Sequence, residues 1–302
     1  MPELLETFSG QNTLGYDIEV VIVDSGSTDS TLDIARRYDC RITNINKDEF
    51  TFGRSLNIGC DFAKGDILVF LSGHCIPASE KWLANLIAPL DKEIAEYSYG
   101  RQIGRDTTKF SELRLFEKQF PFYSKSPQKG YFCNNANAAI KRPAWEKFKF
   151  NEDLTGLEDM YLAKQLSESG SNIAYVAEAP VYHIHDEYWY QVKVRYEREA
   201  YALQRIMPGI HFTLRDFIAY FFAGVVQDFK AARQSKCLRT RWKEIVLFRF
   251  MHYWGTYKGN HEHRMLSQKM KYHYFYPIDV DRNHYDKESS RFVTDESEQR
   301  TR

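Results

Sequence analysis

The chain has 302 residues, with 41 lysines and arginines against 41 aspartates and glutamates, so its formal net charge is zero. That balance argues against a nucleic-acid-binding protein, which needs a basic face, while the length allows a sizeable core in one large domain or in a catalytic domain with an extension. Aromatic residues make up 15% of the chain, which suits packed helices or a surface that meets sugars or lipid headgroups. Five scattered cysteines without a CxxC pair argue against a disulfide framework or a thiolate zinc site and fit a reducing cytosol. The opening MPELLETFSG lacks the basic and apolar regions of a signal peptide. The longest apolar run, FIAYFFAGVV at 217–226, is too short to cross a bilayer, so no transmembrane span is expected.

In chain order, 2–13 reads as the end of a helix and a turn. A buried strand over 18–23 then meets the polar turn Asp24-Ser25-Gly26-Ser27-Thr28-Asp29, and helical spacing follows over 30–38. Ligands of α/β sheets bind at such carboxyl ends of strands, although Ser and Asp in this position also cap the next helix. A short strand at 40–45 precedes a helix at 50–65, and the most hydrophobic strand, 66–72, ends at Ser72-Gly73-His74. Pro77 is expected to break that strand before a helix carrying Trp82, Leu83, Leu86 and Ile87. A further strand is expected at 96–102, a loop-rich stretch over 106–150 with a strand near Asn134 and Asn135, and a helix from Leu157 to Gly170. The segment NIAYVAEAPVYHIH reads as a strand pair or a strand with a loop, and its spacing of two would set His183 and His185 on one face if extended. From 187 onward the chain turns helical, with Thr213 and Asp216 forming a capping box. This alternation predicts a layered α/β sheet.

The blocks VIVDSGSTDSTLDIA, FGRSLNIGCDFAKGDILVFLSGH, CNNANAAIKR and GLEDMYLAKQLSESG come in an order that resembles the family 2 glycosyltransferases of the GT-A fold, and within them bacterial rhamnosyltransferases of surface-polysaccharide assembly. The resemblance implies an α/β, GT-A-like mixed sheet flanked by helices over 1–186, a helical, aromatic-rich extension over 187–282 and a polar tail over 283–302. It also implies that the family's usual first strand is missing ahead of MPELLETF. The implied activity is inverting transfer of a sugar, dTDP-rhamnose being one candidate donor, to a glycan or lipid-linked acceptor. The implied setting is cytoplasmic, with peripheral membrane contact at the inner face.

By the same resemblance Asp24, with Ser25 beside it, reads the nucleotide base, since an acceptor at a strand end can meet a ring N–H. Arg54 faces the diphosphate, where a guanidinium suits paired phosphate oxygens. Ser72 and His74 stand where the family's metal-binding Asp-x-Asp falls. His74 with His183 and His185 forms a candidate site for a divalent metal such as Mn2+ or Mg2+. Asn134 and Asn135 line the sugar pocket. Asp159 is the general base that takes the acceptor proton, with Glu158 orienting it. Plainer readings stand beside these. On these Asp24 is a helix cap, Glu158–Asp159 a favourable acidic first turn, Lys141 and Arg142 solvated strand-end charges, and Trp189 and Tyr190 core. The basic, aromatic tract 242–275 suits either an anionic membrane surface or a helix packed on the sheet. An inert binding or scaffold protein of the same fold and a histidine–aspartate metal hydrolase are the alternative functions.

Overall fold

A computed structural model of the chain describes residues 2–262 and 266–277. After α1 (Pro2–Ser9), β1 (Val21–Asp24) and β2 (Arg41–Asn44) pair in parallel, with α2 (Thr31–Arg37) as the crossover that parallel strands require. A single 3-10 turn (Lys47–Glu49) leads to α3 (Phe52–Phe62), whose cap Thr51 accepts the Arg54 N–H. A second sheet is built from β3 (Ile67–Leu71), β4 (Cys75–Pro77), β5 (Tyr97–Ile103), β6 (Asn137–Lys141) and β7 (Ile173–His183), in the order β3-β6-β5-β7-β4. Only β5 and β7 run parallel within it.

The larger sheet is covered on both faces. Trp82, Leu86 and Leu90 of α4 (Trp82–Asp91) pack on one side, and Trp145 of α6 (Arg142–Phe148) with Leu162 and Leu166 of α7 (Glu158–Glu168) on the other. The strand between explains the pattern: Ala139 joins the first cluster and Ala138 and Ile140 the second, all with no solvent exposure. Beyond the sheet the described chain is helical, through α8 (Trp189–Ile206), α9 (Leu214–Gln234), α10 (Leu238–Asn260) and α11 (Gln268–Phe275). Thr213 and Asp216 form the expected capping box. The tail expected over 283–302 lies outside the described residues.

Several local readings are corrected. β1 begins later than expected and runs through Asp24, its one buried residue. Pro77 does not break a strand but belongs to one, because β4 is an edge and its missing N–H faces away from the ladder. The stretch read as loop-rich contains α5 (Phe110–Gln119) as well as α6. Arg142 is no solvated charge: it donates to the carbonyls of Cys60, Ala63 and Gly65, closing the C-terminal end of α3.

β7 is one strand carrying a wide bulge. Gly100 stands opposite Val176, yet Gln102 stands opposite Val181, so one residue of β5 answers four of β7. Asn137 fills the gap, donating Nδ2 to the carbonyls of Arg101 (3.2 Å) and Ala179 (2.9 Å) and accepting the Trp82 indole N–H at 2.9 Å. A Cβ on Gly100 would collide with the Asn137 amide and the Ala179 carbonyl. Gly100→Ala is therefore expected to destabilise the fold by about 1–3 kcal/mol, the usual range for overpacking, as read by urea denaturation; an unchanged midpoint would show that the bulge does not need the glycine.

Candidate functional site

The antiparallel pairing of β4 with β7 sets Cys75 opposite His183 and lets the Ile184 N–H reach the His74 carbonyl at 3.2 Å. His74 therefore faces the segment between His183 and His185. Its Nε2 lies 2.9 Å from Nε2 of His183, and the ligand atoms of all three histidines fall within 4.8 Å of one another. Ser72 Oγ approaches His74 Nδ1 at 3.1 Å. His183 is layered between His74 and Phe116, at centroid distances of 4.8 and 5.7 Å.

The rings are held in a state that suits metal binding. His183 Nδ1 meets Gln102 Oε1 at 2.6 Å, and His185 Nδ1 meets Glu112 Oε1 at 2.7 Å. An acceptor on each Nδ1 keeps the ring proton there and leaves the Nε2 lone pair for a ligand. Loss of surrounding water, then the neighbouring His185, hold His74 below the ordinary imidazole range, to about 4, although the residue keeps solvent on one side. Burial acts the same way on His183. Both are neutral at pH 7, the form that coordinates a cation.

A hydrogen-bonded chain leads from this cluster to Asp159. Gln102 Nε2 donates to Asn134 Oδ1 at 2.8 Å, and the next residue, Asn135, donates its N–H to Asp159 Oδ2 at 2.8 Å. The Met160 N–H reaches the other Asp159 oxygen at 2.7 Å. The Tyr97 hydroxyl donates to Asn135 Oδ1, and Asn135 Nδ2 is buried without a partner. Asp159 and Glu158 are both only 7% exposed, which is rare for acids in a first helical turn. Leu157, held at φ 58°, turns the chain inward just before them; that conformation costs about 1 kcal/mol or more in a non-glycine residue.

Burial raises both carboxyls above the usual range, and for Glu158 the Asp159 charge is the next cause. The two differ in their hydrogen bonds. The N–H groups of Asn135 and Met160 stabilise the Asp159 anion on both oxygens, whereas Glu158 has only its own backbone N–H and its Oε2 has no partner. A proton on the pair therefore sits on Glu158, and Asp159 carries the negative charge.

The other nominated residues gather elsewhere. Asp24 is buried and accepts the N–H groups of Gly26 (2.8 Å) and Ser27 (3.1 Å); burial works to raise its pKa, but these bonds and the Ser27 side chain outweigh it and leave it lowered. A carboxylate has about four acceptor positions, so Asp24 both shapes its turn and keeps capacity for a ligand. The Tyr276 hydroxyl comes near Ser25 and within electrostatic reach of Asp24. Tyr276 also lines a cleft of about 540 Å³ together with Lys47, Glu49, Arg54, Lys271 and Tyr272. Arg54 sits there 3.5 Å from Glu49, an exposed pair. Among the described residues no hydrogen bond, ion pair or ring contact joins Asp24, Ser25 or Arg54 to the histidine cluster.

Four residues in the site were not singled out from sequence. Gln102 joins His183 to Asn134. Buried Glu112 takes the His185 N–H, and Arg195 binds Glu112 at 2.6 Å and Glu187 at 2.8 Å. Their charge state follows from the contacts: burial would raise Glu112, but the His185 bond and the Arg195 charge leave it lowered. Glu187, two residues beyond HIH, was the only one with a local hint.

The raised Glu158 has a consequence for stability. A carboxyl with a folded pKa above its unfolded value contributes fully below the unfolded value of 4.5, and that contribution is lost as pH rises toward the folded value. Glu158→Gln removes the loss. The variant is expected to gain relative stability by up to about 1.4 kcal/mol per pH unit from about pH 5 upward, measured by urea denaturation across pH; a pH-independent difference would show that Glu158 titrates normally.

The Glycosyl transferase family 2 model matches residues 1–148. The O-antigen chain rhamnosyltransferase RfbN of Salmonella typhimurium is 27% identical over 199 residues, covering 61% of this chain and 62% of that protein. The O-antigen chain rhamnosyltransferase WbaN of Salmonella anatum is 30% identical over 182 residues, covering 56% and 57%. The chain thus spans less than two thirds of the length of either relative. The structure of mannosyltransferase PcManGT from Pyrobaculum calidifontis, in complex with GDP-Man and Mn2+, superposes with a TM-score of 0.57 at 18% identity, over 87% of this chain and 83% of that one. At that identity the likeness speaks for the fold alone. Residues 1–148 thus match the family 2 glycosyltransferases, the mixed α/β architecture is GT-A-like, and the chain is similar to bacterial O-antigen rhamnosyltransferases.

Proposed function

We propose that the protein is an inverting transferase of surface-polysaccharide synthesis, moving a sugar from a nucleotide-diphosphate donor to a glycan or lipid-linked acceptor. The curated relatives are named rhamnosyltransferases, which makes dTDP-rhamnose the first donor to test. The observation that carries the reading is Asp159: a buried carboxylate, kept anionic by two backbone N–H groups beside a carboxyl that holds the proton, and linked by hydrogen bonds to the histidine cluster. In the proposed step the acceptor hydroxyl attacks the anomeric carbon, its proton passes to Asp159, and the bond to the diphosphate breaks with its electron pair leaving on the phosphate oxygen. Asn135 Nδ2, buried without a partner, is a donor for a sugar hydroxyl beside Asp159. Asp24 and Ser25 are proposed to meet the base, and Arg54 the diphosphate. Free cysteines at all five positions agree with a cytoplasmic setting.

His74, His183 and His185 fit a divalent cation. Nε2 of His74 and His183 lie 2.9 Å apart, a ring nitrogen of His185 falls within 4.8 Å of both ligand atoms, Nδ1 partners fix the tautomer of His183 and His185, and Ser72 adds a hydroxyl at the rim. Imidazole donors favour a transition-metal ion over Mg2+, which takes oxygen ligands. Such an ion would supply positive charge for the diphosphate. The metal-hydrolase alternative finds less support, because Asp159 reaches His183 only through Asn135, Asn134 and Gln102 and shares no ligand position with it.

Titration calorimetry with dTDP, UDP and GDP, with and without Mn2+, tests donor binding; dTDP is expected to bind most tightly, and absence of binding by all three would overturn the reading. Asp159→Asn is expected to lower transfer by about 100-fold or more, with a stability loss of about 1–2 kcal/mol because one backbone N–H then faces an amide group. Undiminished turnover would remove Asp159 from the mechanism. His183→Ala is expected to weaken Mn2+ or Zn2+ binding by about tenfold or more, and unchanged affinity would move the metal elsewhere.

A further inference from the structure

The helix α9 turns an apolar face to solvent. Its inner face is fixed by Asp228, which is buried, pairs with Arg249 of α10 at 2.6 and 2.9 Å and accepts the Ser111 hydroxyl of α5 at 2.6 Å. Gly224 and Ala232 are buried on the same side. With the rotation so set, Leu214, Ile218, Phe222 and Val226 recur at every fourth position on the outside and are 52, 47, 61 and 49% exposed. Single exposed apolar residues are ordinary, but a stripe that follows a helix from its first turn into its fourth marks an interaction surface. Phe250 and Trp242 of α10 are also exposed.

Charge completes the pattern. Residues 230–243 contain Lys230, Arg233, Lys236, Arg239, Arg241 and Lys243 and no aspartate or glutamate, in a chain whose net charge is zero. Among the described residues only Arg241 of these is ion-paired, with Glu244. Within the basic, aromatic tract 242–275, Ile245, Phe248, Arg249 and Gly255 are by contrast spent on packing: they are buried, and a Cβ on Gly255 would meet the Lys193 carbonyl of α8.

We infer that the α9–α10 hairpin docks in the plane of a bilayer bearing anionic lipids. The α9 stripe enters the acyl boundary, and the basic end with Trp242 lies at headgroup level. No helix among the described residues is long and apolar enough to cross a membrane, so this contact is peripheral. A second copy of the chain fits less well, since it would set the cationic end against itself or against a far end where Arg215 and the capping Asp216 offer no net negative charge. A bilayer with anionic headgroups meets both features at once.

Co-sedimentation of the full chain with vesicles tests this without any activity readout. Binding is expected to vesicles of phosphatidylcholine mixed with phosphatidylglycerol, to weaken with added salt, and to fall by about tenfold or more on phosphatidylcholine alone. The exposed double substitution Ile218→Glu with Phe222→Glu is expected to lower binding by about tenfold or more with the thermal midpoint unchanged. Lys236→Glu with Arg239→Glu is a second, independent variant expected to act through the salt-sensitive part. No binding to the anionic vesicles, full binding by both variants, or a concentration-dependent dimer that the first variant abolishes while vesicles stay unbound would each overturn the inference.

Discussion

The site rests on a defect in the β5–β7 ladder. Were the two strands in regular register beyond Gly100, Gln102 would stand opposite Glu178 rather than Val181. Instead β7 gives up four residues to one, and the Asn137 amide stands in for the missing backbone bonds. That substitution gives the Arg101 and Ala179 carbonyls a partner, which is the condition for keeping a bulge inside a covered sheet. The same bulge brings Val181 opposite Gln102, and hence His183 beside it, so that one side chain bridges His183 and Asn134. The histidine cluster and the carboxylate pair are thus coupled through a sheet irregularity rather than through a loop, and a rigid scaffold is what a preorganised site needs.

Electrostatics then separates two acids that the sequence presents as equals. Glu158 and Asp159 are adjacent and equally buried. Burial alone would neutralise both. The N–H groups of Asn135 and Met160 aim only at Asp159, so the anion settles there and its neighbour keeps the proton. Paired titrating groups pushed apart by their surroundings are a recurring way to assign acid and base roles. The histidines are tuned in the opposite sense, to neutrality, by burial and by one another.

What could be read from sequence was whatever local order encodes. Alternating and helical spacing located most of the strands and helices, and Asp24-Ser25-Gly26-Ser27 announced a polar turn whose carboxylate does accept the following N–H groups. Pro77 misled because proline reads as a breaker unless the strand is known to be an edge, and edge status is a property of the finished sheet. Gln102, Glu112 and Arg195 were out of reach for a related reason. Gln102 bonds His183 across 81 residues of chain, Glu112 bonds His185 across 73, and Arg195 bonds Glu112 across 83. On their own strand or helix they look like ordinary polar positions. His74 and His183 are more distant still, 109 residues apart, and were paired in advance only because the family resemblance gave each block a place.

A boundary near residue 186 would cut through the site's supports. Arg195 belongs to α8, yet its guanidinium binds Glu112 of α5 and Glu187 just past the sheet. Glu112 has almost no exposed surface and one oxygen without a partner, so losing Arg195 would leave a buried charge held by His185 alone, a change that costs about 3–5 kcal/mol where it has been measured in proteins. Arg198, one turn further along α8, adds positive charge near Glu158. α8 is in turn held by α10, where Gly255 and Gly259 let the two backbones approach until a side chain would collide with the carbonyls of Lys193 and Glu197. The helices therefore do more than follow the sheet. They supply the counter-charges that let a buried carboxylate stand behind His185, and the buried Asp228–Arg249 pair that orients α9 belongs to the same packed block, so the outward face of that helix and the inward face of the site are set by one arrangement of helices.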